Sequence, residues 1–260
     1  MNTVGRLLTR PFSPFKKICE VPLCQIQGVL LNIFDTWGLP QWIKVDNGRP
    51  FGDPQRQAVP VLALWLIALG VRVIFNRPRI PQDNAKVERS QGVLSNWTEW
   101  HKCHNTAELQ NRLSQEAKFH NLHYPVNRLN GQTRIQAFPT LLRSPRNFNP
   151  NDFEVQRALD FVAEGHWERT ISQSGQINLW GNRVQVGLKY AYQNVSIKLD
   201  PLQNLWQVFN PNGILLKSFE SNITPENLWR LDLSWMSMNF YLSKPILRFL
   251  SKTLNRTTCV

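Results

Sequence analysis

The chain has 260 residues, room for two modest domains, and 42% of them are hydrophobic, so a core can form without disulfide staples. The formal charge is +12 and the pI is near 10.0, which suits a polyanionic partner. The four cysteines, Cys19, Cys24, Cys103 and Cys259, form no close pair, which excludes a disulfide framework and fits a reducing cytoplasm. Positive charge is concentrated early. Residues 1–149 carry nineteen Lys and Arg against nine Asp and Glu, residues 150–240 carry seven against nine, and the last twenty carry four against none.

Residues 1–17 hold Arg6, Arg10, Lys16 and Lys17 with no acid and lack an apolar stretch long enough for secretion. Residues 1–20 are left unassigned. Apolar residues at 26, 29, 30, 33, 34 and 37 predict a helix over 21–37 with one buried stripe, ended by Gly38-Leu39-Pro40. Residues 43–46 read as a short strand. Ile43 and Val45 share one face, and Asn47-Gly48 stops it. The uncharged stretch 58–71 spans about fourteen residues, is interrupted by Pro60 and ends at Arg72, whereas a membrane span needs roughly twenty. It reads instead as a buried helix over 60–69, leading through Gly70 into a strand over 71–75. Strand, helix and strand make a βαβ unit with a parallel pair. A long helix is predicted from Asp83 to about Cys103, and another over 106–121. His101, Cys103, His104, His120 and His123 lack the spacing of a structural zinc site.

Residues 139–150 contain three prolines, and 146–160 is assigned as a linker. Short alternating stretches follow at 167–171, 176–179, 183–187, 195–199 and 205–209. Turn signals at Ser174-Gly175, Gly181-Asn182, Asp200-Pro201 and Asn212-Gly213 separate them. This rhythm predicts a small antiparallel β-barrel over 161–222. Residues 223–260 form a basic tail with an irregular apolar stripe.

Two acidic motifs carry the chemistry. Asp46 falls at the end of the first predicted strand. In Pro81-Gln82-Asp83-Asn84-Ala85-Lys86-Val87-Glu88-Arg89, Pro81 precedes a helix start, Asp83 or Asn84 is placed to cap it, and Glu88 falls about one turn in. A carboxylate at a strand end and another on a helix supply the hard oxygens that a divalent-metal phosphoryl-transfer site needs.

These residues carry a resemblance. Trp37-Gly38-Leu39-Pro40 with Asp46-Asn47-Gly48 resembles the second-acid segment of DDE-type transposases and retroviral-type integrases. Residues 81–89 resemble the third-acid segment, with Ala85 where the family usually has glycine. Phe119-His120-Asn121, Tyr124-Pro125 and Leu129-Asn130-Gly131-Gln132-Thr133 resemble the closing segment. The resemblance covers roughly 21–145, and Trp167 through Tyr190 is similar to the carboxy-terminal barrel of such transposases. It implies an α/β protein: a partial ribonuclease-H-like integrase core over 21–145 followed by a small all-β barrel. It implies Asp46 and Glu88 as catalytic and metal ligands, Mg2+ or Mn2+ as cofactor, and Asn84, Lys86 and Arg89 as DNA contacts. Transposon ends and target DNA are the implied partners, with a homo-oligomer or a full-length transposase beside them and no membrane. A bacterial cytoplasmic, nucleoid-associated setting follows.

One departure qualifies this. The family's first acid lies on an opening strand, and only Glu20 and Asp35 precede Asp46 here, neither in strand context. The sequence is therefore read as an amino-terminally truncated DNA transposase/integrase-family protein, inactive alone in DNA strand cleavage and transfer. The alternative is a non-catalytic DNA-binding or partner-binding remnant that associates with a full-length transposase. A membrane-associated protein using 58–71 and the tail is a third reading, which the acidic motifs disfavour.

Overall fold

The computed structural model describes residues 23–48, 50–51, 60–77, 79–139, 144–179 and 182–231. The amino-terminal segment, with Glu20, and the basic tail past 231 lie outside the described residues. The chain is of mixed α/β content with small sheets. Its contacts gather into two units that alternate along the sequence. One takes the described residues up to Pro40 and then Asn76–Phe148. The other takes Gln41–Phe75 and the described residues from Asn149 onward.

The first unit is helical. Helix α1 (Leu23–Trp37) buries Leu30 and Phe34, four residues apart, while Val29 and Trp37 stay exposed. The buried stripe is thus narrower than the periodicity suggests. The Phe34 ring lies 6.1 Å from that of Phe148. Helix α3 (Ala85–Thr98) follows a 3-10 turn over Pro81–Asp83. It stops five residues short of the expected end at 103. The Thr98 hydroxyl donates back to the Leu94 carbonyl at 2.6 Å, and Glu99 turns left-handed at φ 46°. Lys102 meets the Glu99 carboxylate at 2.8 Å across the short 3-10 turn that comes next. That contact offsets part of the strain of a left-handed non-glycine residue. Helix α4 (Thr106–Leu122) is capped by Asn105, whose side chain accepts the Glu108 N–H at 2.8 Å, and Glu108 returns the favour to the His104 N–H at 3.0 Å. Helix α5 (Arg134–Ala137) is one turn, held by a capping box between Thr133 and Gln136.

The second unit opens with the expected βαβ element. Strands β1 (Trp42–Val45) and β2 (Arg72–Phe75) pair in parallel, Trp42 opposite Arg72 and Val45 opposite Phe75. Helix α2 (Val61–Ala68) joins them. Its residues 61–66 and 68 are all buried, which explains why it is apolar all round rather than on one stripe. Helix α6 (Val155–Ala163) packs on α2 through a face of Ala158, Leu159 and Val162. The Ala68 carbonyl at the end of α2 accepts the Glu154 N–H and the Arg157 guanidinium, each at 3.0 Å. An orphan helix-end carbonyl is thereby satisfied by a cation.

Strands β3 (Trp167–Thr170), β4 (Gln176–Leu179), β5 (Asn182–Gln185), β6 (Asn194–Asp200), β7 (Leu205–Phe209) and β8 (Leu215–Glu220) follow, then the short helix α7 (Pro225–Trp229). The barrel expectation is corrected here. The strands form an open four-stranded sheet in the order β3-β6-β7-β8, with β4 and β5 a separate hairpin, and no barrel closes among the described residues. Strands β6 and β7 turn Val195, Ile197, Leu199, Trp206 and Val208 inward, and α6 packs against β6. The rings of Trp167 and Trp206 meet edge to face at 5.2 Å. With a helix covering its apolar face, the sheet need not curl round to bury it, and four short strands are too few to enclose a lumen. Strand β8, absent from the sequence expectation, pairs with β7 across a register shift between Val208 and Phe209. The α7 ring Trp229 sits between Phe153 at 5.1 Å and Trp65 of α2 at 6.3 Å.

Candidate functional site

Strand β1 alternates cleanly. Ile43 and Val45 are buried, Trp42 and Lys44 exposed. Asp46 is the next residue, at the carboxyl end of the strand, and is half-buried. Its Oδ1 accepts the Gly48 N–H at 3.1 Å, closing a small side-chain turn that fixes the carboxylate. A Cβ at position 48 would lie 3.3 Å from that oxygen, so glycine lets the turn approach closely. No second partner of the Asp46 carboxylate is among the described residues.

The second acidic motif is built differently from the sequence expectation. Asp83 does not cap α3. Its carboxylate grips Arg77 instead: Oδ2 accepts the Arg77 backbone N–H at 2.9 Å and Nε at 3.0 Å, and Oδ1 accepts Nη2 at 2.8 Å. That fork raises the Arg77 pKa above its ordinary value, first through the hydrogen bond and then through the charge. The grip closes the loop before the helix. Asn84 takes the cap position without a side-chain cap bond, and its carbonyl accepts the Glu88 N–H at 3.0 Å. Asn84 and Glu88 are therefore one turn apart on one face of α3. Glu88 is exposed in the first turn, where the helix dipole favours negative charge. Its carboxylate has no hydrogen-bond or ion-pair partner among the described residues. Arg89 follows, also exposed, and Lys86 is the second residue of the helix.

Trp37-Gly38-Leu39-Pro40 gains a physical explanation. The Gly38 N–H donates to the Phe34 carbonyl at 2.8 Å with φ 78°, a left-handed end to α1. Residues 144–146 then clasp the segment. The Ser144 N–H donates to the Trp37 carbonyl at 2.7 Å and its hydroxyl to the Leu39 carbonyl at 2.6 Å. The Leu39 N–H donates to the Arg146 carbonyl at 2.8 Å, and the Arg146 guanidinium to the Pro40 carbonyl at 3.0 Å. A Cβ on Gly38 would come within 2.6 Å of the Arg146 carbonyl oxygen.

The closing segment folds into an aromatic cluster. His120 is buried and stacks on Tyr124 with rings 9° from parallel. Trp97 of α3 meets Phe119, His120 and Tyr124 at 5.9, 5.6 and 5.0 Å. Arg134 of α5 donates to the His120 carbonyl at 2.8 Å. Burial, and then the charge of Arg134, hold the His120 pKa below its ordinary value.

The structure thus brings Asn84, Glu88 and Arg89 together on α3 of the first unit, and sets Asp46 at a strand end of the second. Asp35 is exposed in the last turn of α1. Among the described residues, no group of three or more His, Cys, Asp or Glu side chains gathers as metal ligands. The hard carboxylate oxygens of Asp46 and of Glu88 each match a magnesium ion in kind. No helix among the described residues is long and apolar enough to cross a membrane. The Arg77–Asp83 grip and the clasp by Ser144 and Arg146 were not foreseen from the sequence. The former is a local arginine–aspartate pair. The latter joins residues 105 positions apart, which no short motif encodes. No protein-family model matches the chain.

Proposed function

We propose that the chain is an integrase-family DNA-processing protein, with a ribonuclease-H-like ancestry in its βαβ element. In this reading Asp46 and Glu88 are two of the carboxylates of a strand-cleavage site. The observation that carries it is the position of Asp46, half-buried and braced by Gly48, directly at the carboxyl end of a parallel strand. Sites in open α/β sheets lie at the carboxyl ends of parallel strands. Glu88, on the first turn of α3 and without a hydrogen-bond or ion-pair partner among the described residues, is the second acid. Bound Mg2+ or Mn2+ would supply charge neutralisation at a scissile phosphate. Asp46 and Glu88 would hold it, and Asn84, Lys86 and Arg89 would contact the DNA backbone. Among the described residues no group of three acids gathers as metal ligands. In this reading the chain by itself binds DNA without cutting it, and transposon ends or target DNA would be its partners.

Anisotropy titration with duplex DNA tests the reading. Affinity should fall steeply as salt rises, because the nineteen cations of residues 1–149 outnumber nine acids. Absence of binding at low salt overturns the proposal. Incubation with Mg2+ or Mn2+ and supercoiled DNA should give no nicks. Nicking that disappears in Asp46→Asn and Glu88→Gln would keep the site and overturn the claim that the chain is inactive alone.

A further inference from the structure

The rings at the end of α4 do more than fill a core. Trp97 and His120 face inward, yet Phe119 is 47% exposed and Tyr124 39%, and His123 is exposed beside Phe119 with ring centres 6.0 Å apart. The inner rings brace the outer ones. Tyr124 is stacked on His120 and touched by Trp97, and the Arg134 guanidinium lies 6.0 Å from its ring centre. Flat, rigid and half-exposed rings are an unfavourable way to end a helix in water unless another flat surface covers them.

The charges around the rings point to the occupant. Some cations elsewhere are matched: Arg77 with Asp83, Lys102 and Arg112 with Glu99, Arg112 also with Glu108, and Arg157 with Glu154. Lys118, Arg128 and Arg134, the cations nearest the rings in sequence, have no carboxylate partner among the described residues. Burial, and then the nearby charge of Arg128, hold the Arg134 pKa below its ordinary value. The acid nearest in sequence is Glu116, a turn before Phe119 on α4. An aromatic surface edged by unmatched cations fits a ligand with both a π-face and negative charge. A duplex conceals its base faces, whereas a single strand presents them.

We propose that the end of α4 and the turn that follows form a stacking site for an unpaired nucleotide of single-stranded DNA, with Phe119, His123 and Tyr124 against the base and Arg128 and Arg134 toward its phosphates. The inference rests on the DNA-processing reading and adds to it a preference for unpaired strands, carried by residues other than Asp46 and Glu88.

The test compares fluorescein-labelled oligothymidylate with a duplex of equal length in anisotropy titrations of the full chain. The wild-type protein should bind the single strand more tightly. Phe119→Ala should weaken single-strand binding about fivefold or more while leaving duplex binding unchanged. Because Phe119 is half-exposed, circular dichroism should show the variant folded. A second measurement is independent of any variant. Oligonucleotides carrying 5-iodouracil, photocrosslinked to the wild-type chain and mapped by mass spectrometry, should mark the peptide containing residues 119–124. Equal affinity for both strands, with crosslinks only elsewhere, overturns the stacking site and leaves the DNA-processing reading intact. Absence of binding to either nucleic acid overturns both.

Discussion

At the scale of single residues, two positions carry consequences beyond their size. Gly38 meets both demands that only glycine satisfies, a φ of 78° and a carbonyl 2.6 Å from where a Cβ would stand. Gly38→Ala should therefore lower unfolding stability by about 1–3 kcal/mol, read from denaturant titration. Pro40→Ala leaves the clasp bonds in place and should cost less. His120 gives a pH signature. Its pKa is lowered in the folded protein by burial and by Arg134, so the unfolded chain takes up its proton first as pH falls. The stability this residue contributes is full above its unfolded value near 6.5 and is lost as pH falls from there through the lower folded value. Thermal midpoints taken between pH 8 and pH 5 should drop in wild type and drop less in His120→Phe, which keeps a ring against Tyr124 and Trp97 but cannot take up the proton.

At the scale of elements, what the sequence made legible was whatever depended on local pattern. The β1–α2–β2 order and its parallel pairing follow from short apolar runs separated by a wholly apolar helix, and the structure has that order and pairing. Strands β4 and β7 fall where alternation and flanking turns place them, and Gly175 takes the expected left-handed turn at φ 75°, its backbone pressed against that of Gly187. Sheet closure is not a local property, because it depends on whether another layer covers the apolar face, and α6 does. The face of α6 is visible as Val155, Ala158, Leu159 and Val162 once looked for, but the prolines at 139, 145 and 150 mask it as a linker. The early stop of α3 depends on a left-handed Glu99 held by Lys102, a choice that helix periodicity does not encode. Of the candidate site, residue types and local settings were legible in Asp46 and Glu88, while the role of Asp83 was not, because its partner Arg77 precedes the motif. Leu62 lies at zero exposure in the middle of these packed layers. Leu62→Ala should destabilise by about 2–5 kcal/mol in the same denaturant assay.

At the scale of the whole molecule, α2 shares a unit with β6 and β7, not with α3 and α4. Native-state hydrogen exchange should then show the amides of α2 gaining and losing protection together with those of β6 and β7, and Leu62→Ala should lower protection in all three while sparing α4. Independent behaviour of α2 would show that the alternating division does not govern cooperativity. That division also bears on how the protein is born. Each unit draws on two stretches of chain, and the backbone passes between units after Pro40, after Phe75 and after Phe148. A ribosome that has released residues 1–75 has delivered the opening of both units and the completion of neither. The first closes when Ser144 and Arg146 emerge to seize Leu39 and Pro40, and the second waits for α6 and the sheet. The wholly apolar α2 is thus synthesised well before the layers that cover it, and through that interval it is a natural client for a chaperone.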